Sequence, residues 1–75
     1  MELRFPAHVG QRMRRRQIPE VAVYHIVGDA DEIFERDDGR TEYVGTWERR
    51  IIRVVIEDDG ETVVTVTNVE RRDRR

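Results

Sequence analysis

The sequence has no cysteine and no lysine. Without cysteine there is no disulfide framework and no thiolate metal site, and nothing points to secretion. No apolar run approaches the ~20 residues that a membrane span needs. The opening MELRF is followed by no apolar stretch of the signal-peptide kind. The expectation is therefore a cytoplasmic chain with no membrane partner. With 75 residues it is one domain at most, spanning 1–75. A domain this small buries only about 60% of the surface its unfolded chain exposes, which leaves it marginally stable.

Charge, by contrast, is abundant. Charged residues make up 40% of the chain, yet the formal net charge is only −2. The average hides an asymmetry, because residues 1–18 carry five Arg against one acid and residues 62–75 carry four Arg against two. The middle, residues 19–61, carries thirteen acids against five Arg. A basic patch attracts phosphate, but the whole molecule is no polycation. Arginine suits bidentate phosphate contacts and stays charged. The plainer account of the missing lysine is codon usage in a GC-rich genome, since Arg is spread along the whole chain.

The apolar rhythm changes partway along. Phe5, Val9 and Met13 recur at helical spacing within residues 6–17, with Pro6 suited to the first turn. Pro19 disfavours helical backbone at Ile18 and ends that segment. Residues 19–27 are short and rich in β-branched residues, which suits a strand, but Pro19 at the start and Gly28 as a C-terminal cap favour a second helix with Ala22, Val23, Ile26 and Val27 on one face. From there the period is two. Residues 31–36, 41–48, 50–57 and 61–69 predict four strands, and residues 70–75 a frayed tail. Asp37-Asp38-Gly39 and Asp58-Asp59-Gly60 supply the positive-φ glycine of tight hairpins. The turn at Glu48-Arg49 lacks such a signal.

The expected fold is α+β, with two N-terminal helices on one face of a four-stranded antiparallel meander. A three-residue loop at Asp58-Asp59-Gly60 would pair Val54 with Val64 and Ile52 with Val66 on the helix side. The other face would then set Arg53 beside Thr65, Val55 beside Val63 and Ile51 beside Thr67. That open face would need a partner, a ligand or a covering tail.

On the first helix His8, Arg12 and Arg15 fall on one stripe at the border of the apolar face. Histidine titrates near neutrality and serves as a general acid or base. Neighbouring arginines would favour its neutral form and stabilise charge on a phosphorane. RNA brings its own nucleophile, so such a site needs no metal and no cofactor. The structural alternative is a boundary histidine with Arg stems covering apolar surface, and on physics alone it leads. His25 is expected at the surface, and His8 and His25 have no metal-ligand spacing. The acidic turn at 57–61 lacks the ligand pattern of a calcium loop and is explained by turn chemistry. Tyr43 and Trp47 alternate onto one face of the second strand, either as cross-strand packing or as a platform for a base.

The order of these features resembles a small bacterial family, domain of unknown function 4258. Phe5, His8, Arg12, Arg16-Gln17-Ile18, Glu20, Asp31-Glu32-Ile33, Arg53-Val54-Val55 and Val64-Thr65-Val66 carry the resemblance. Gln17 stands where the family pattern often has Gly, and Ala30 where it often has Pro. That family in turn is similar to compact RNase toxins of the RelE and BrnT kind. The resemblance implies a metal-independent ribonuclease of a toxin–antitoxin system, with RNA as substrate and an antitoxin-like protein as partner. It implies a site of His8 and Arg12 on the helix with Arg53 and Thr65 from the sheet; joined to the helix and strand readings, this makes His8, Arg12 and Arg53 the candidate catalytic residues and Arg15, Arg16, Tyr43 and Thr65 the candidate substrate contacts. The rival expectation is a non-catalytic interaction module, docking a protein or a second copy through the open face or an edge strand.

Overall fold

Pro6 and Pro19 each stand immediately before a helix, fixing the extended backbone from which the first turn departs. In the computed structural model, which describes residues 1–69, α1 runs Ala7–Arg16 and α2 Glu20–Gly28. The expected frayed tail, 70–75, lies outside the described residues. Four strands follow: β1 Glu32–Glu35, β2 Thr41–Trp47, β3 Arg50–Ile56 and β4 Val63–Asn68. They form one antiparallel sheet in the order β1-β2-β3-β4. Both helices cover the same face. Val9 and Met13 of α1 and Ala22, Val23, Ile26 and Val27 of α2 are buried together with Ile52, Val54, Ile56, Val63 and Val66 of the sheet. No helix is long and apolar enough to cross a membrane among the described residues.

α1 stops at a Schellman motif. Gln17 N–H donates to Arg14 O (3.1 Å) and Ile18 N–H to Met13 O (2.8 Å), and buried Ile18 packs with buried Met13 in the core. This places Gln17 at φ 58°, ψ 46°, left-handed backbone that favours glycine. Gln17→Gly is therefore expected to raise stability by about 1 kcal/mol, read as a higher urea midpoint at unchanged slope. Gly28, expected as a cap, is instead the last helical residue of α2, and Asp29 closes that end through its N–H to His25 O.

The hairpins differ in what the sequence reveals. Gly39 and Gly60 take positive φ at the two Asp-Asp-Gly turns. Glu48 and Arg49 form a two-residue connection between Trp47 and its partner Arg50, both at positive φ and without glycine. The third hairpin corrects the expected register. Gly60 N–H bonds Glu57 O and Glu57 N–H bonds Thr62 O, so the loop is one residue longer than expected. A bulge then leaves Val64 without a partner. Val54 consequently faces Val66 rather than Val64, and Ile52 faces Asn68 rather than Val66. On the open face Arg53 faces Thr67, not Thr65, and Thr65 faces Val55.

The N-terminal segment adds a contact with no sequence signal. Arg4 N–H donates to Glu61 O and Arg4 O accepts from Val63 N–H, a one-bridge extension alongside β4. Buried Leu3 donates its N–H to Tyr24 Oη (2.9 Å), tying this segment to α2.

Candidate functional site

Because Val9 and Met13 face the sheet, the helical period turns His8, Arg12 and Arg15 outward, and all three are exposed. Arg14 is exposed too and folds back along the helix, its guanidinium 3.7 Å from where a Cβ on Gly10 would stand. Arg16 differs. It is half-buried, and its Nη1 donates to Val66 O (2.9 Å), fastening α1 to β4.

The end of α1 meets the turn between β2 and β3. Arg50 reaches across and donates Nη1 to Arg16 O (3.1 Å) and Nη2 to Gln17 O (2.6 Å). It satisfies carbonyls that a helix C-terminus leaves open, and its charge suits the negative end of the helix. The same guanidinium lies over the Trp47 ring, 5.8 Å from its centroid. Beside it a groove of about 290 Å³ is lined by Arg49, Arg50, Ile51, Asn68 and Val69. Arg49 is exposed at the tip of the turn.

The arginines divide by what they touch. Arg4 pairs with Glu61, Arg36 with Asp38 and Glu42, Arg40 with Glu57, and Arg53 with Glu42. These belong to the sheet and to the end carrying the two Asp-Asp-Gly turns. At that end each arginine is engaged by a carboxylate. Glu57 holds Arg40 through two bonds of 3.2 Å and pushes its guanidinium above its already high pKa. The Asp59 carboxyl is held down to about 2 by Thr62 Oγ1, Glu61 N–H and Thr62 N–H. The Arg40 backbone N–H, with the Arg36 and Arg40 charges behind it, lowers Asp38 as well. By contrast Arg12, Arg14, Arg15, Arg16, Arg49 and Arg50 have no carboxylate partner among the described residues. They sit on α1 and at the end of the sheet where α1 stops.

The residues expected to form one site are therefore distributed over two faces. His8, Arg12 and Arg15 lie on the helix side. Arg53 lies on the open side, its Nε 3.6 Å from Glu42 Oε2, and the sheet stands between the two sets. Thr65 is on the open side as expected, but opposite Val55. Tyr43 and Trp47 pack against the core on the helix side, which takes them away from the open face and from any base stacked there. The basic end around Arg49 and Arg50 is absent from the sequence expectations. The Arg50 partners are 33 and 34 residues away, and no local pattern announces such a contact. Comparison with family models, with curated proteins and with solved structures finds no match for this chain.

Proposed function

We propose that the protein is a cytoplasmic RNA-binding domain of the RNase-toxin type, engaging the phosphate backbone through the outer face of α1. One observation carries the reading: among the described residues the arginines of α1 and of the adjoining turn have no acidic partners, whereas the others are paired. A local cationic face binds a polyanion even when the molecule as a whole is acidic, because phosphate contacts release counterions locally. Arg12, Arg14, Arg15 and Arg49 supply the free charges. His8, exposed one helical turn before Arg12, is the acid/base group for attack of an RNA 2′-hydroxyl on its own phosphate. Arg53, paired with Glu42 across the sheet, takes no part in that step. The resemblance to toxins adds an antitoxin-like partner that would cover the same arginines.

The test separates binding from cleavage. Fluorescence anisotropy with a single-stranded RNA should show affinity falling steeply with salt. Incubation with EDTA should show cleavage that His8→Ala slows by roughly 10²-fold or more while binding is retained. RNA left intact by the wild type removes the ribonuclease assignment, and absence of salt-dependent binding removes the RNA assignment altogether.

A second reading is a non-catalytic interaction module. The observation favouring it is β1, exposed along its whole length at the edge of the sheet.

A further inference from the structure

β1 is the least covered element of the fold. α2 lies on β2 and β3 and α1 lies on β4, so neither helix packs extensively on it. Ile33, on the helix side, is 57% exposed, and Phe34, on the open side, is 49% exposed. The backbone direction follows from the hairpin. Arg36 N–H donates to Arg40 O (2.9 Å) and Arg36 O accepts from Gly39 N–H (3.1 Å), so residue 36 faces β2. Antiparallel strands alternate, which turns Phe34 and Glu32 toward β2 as well. Ile33 and Glu35 then point their N–H and C=O groups away from the sheet, along a free edge.

We propose that this edge pairs with the same edge of a second copy, antiparallel about a two-fold axis through Phe34. In that register Ile33 faces the partner's Glu35, and Glu35 faces the partner's Ile33. Each pair exchanges both backbone bonds, and every outward group of the two residues is satisfied. The side chains on the open face agree with this choice. Glu32 stands opposite the partner's Arg36, Arg36 opposite the partner's Glu32, and Phe34 against the partner's Phe34. The neighbouring registers do worse. Centring on Glu35 sets two glutamates face to face, and centring on Ile33 puts Glu32 against the partner's Phe34 and leaves Arg36 with no carboxylate across the interface. Arg36 is free to turn, since its own carboxylates are 3.5 and 3.8 Å away and exposed pairs of that kind hold weakly. Charges on an edge strand commonly forbid pairing. Here Glu32 and Arg36 are complementary under two-fold symmetry, so they select this chain as the partner. The pairing joins two sheets into one of eight strands and leaves the α1 face open.

This inference deepens the interaction reading and is independent of the RNA reading. Sedimentation velocity of the full chain over a range of concentrations should show a monomer–dimer equilibrium. Glu32→Arg and Arg36→Glu should each weaken dimerisation by about tenfold or more, because two attractive pairs become repulsive. The combined swap Glu32→Arg with Arg36→Glu should restore it. Protection of the Ile33 and Glu35 amides in hydrogen exchange should rise with concentration, while circular dichroism confirms that each variant is folded. A wild type that stays monomeric, or a dimer indifferent to both single substitutions, overturns the proposal. The wider interaction reading is decided separately, by whether Phe34→Glu changes what the chain captures from a lysate.

Discussion

Ile26→Ala is expected to cost about 2–5 kcal/mol and to bring the chain close to unfolding at room temperature. A domain of this length has roughly 4–11 kcal/mol of total stability, so one truncation removes a large part of it. Ile26 is fully buried in the last turn of α2. Its Cδ1 lies 3.1 Å from where a Cβ on Gly45 would stand, and Ala30 Cα lies 3.6 Å from the same point. Gly45 is thus a place where α2 and the segment after it approach β2 closely. A methyl there would press on Ile26, offsetting the roughly 0.5–1 kcal/mol that Ala gains over Gly within a strand. In the Ile26→Ala background that pressure is gone and the same methyl occupies part of the cavity. The two substitutions should therefore couple: Gly45→Ala should be more favourable by about 1 kcal/mol when Ile26 is already Ala. Urea denaturation of the four proteins closes the cycle. Additive midpoints would show that α2 does not rest on Gly45.

The same packing explains which parts of the fold could be read in advance. Positions whose neighbours are local in sequence were legible. Val9 and Met13 follow the helical period, the prolines mark both helix starts, and Gly39 and Gly60 mark two turns. What failed depended on geometry that accumulates along the chain. One additional loop residue and the bulge at Val64 moved β4 by two positions against β3. The in-and-out alternation survives such a shift, because the period is two, but the neighbours do not. Arg53 therefore kept its face and lost Thr65. The candidate site suffered most because it was assembled from elements on opposite sides of the sheet. His8 and Arg53 each lie on a face that the sequence pattern specifies, yet the pattern contains nothing that brings those faces together. Arg50 shows the converse. It sits in an alternating strand with no distinguishing motif and binds the carbonyl end of α1.

The partition of the arginines leads to the second large effect, on RNA affinity. Arg12 and Arg15 are exposed on one stripe of α1, three residues apart, and neither bonds another group among the described residues. Replacing both with Glu removes two phosphate contacts and adds two repulsions without disturbing Val9 or Met13 beneath. For single-stranded RNA each contact contributes about 0.7 to the slope of log K against log salt. The double variant should lose roughly 1.4 of that slope and bind about 10²-fold more weakly near physiological salt. Arg36 and Arg53 are the internal control. Both lie on the open face of the sheet, away from α1, so replacing them should alter affinity by less than about threefold on the same scale. Equal losses from the two pairs would mean that overall charge, and not the α1 face, governs binding. A loss confined to Arg12 and Arg15 would locate the phosphates along α1, within reach of His8, and there the question of cleavage becomes one of distance between a single imidazole and a bound 2′-hydroxyl.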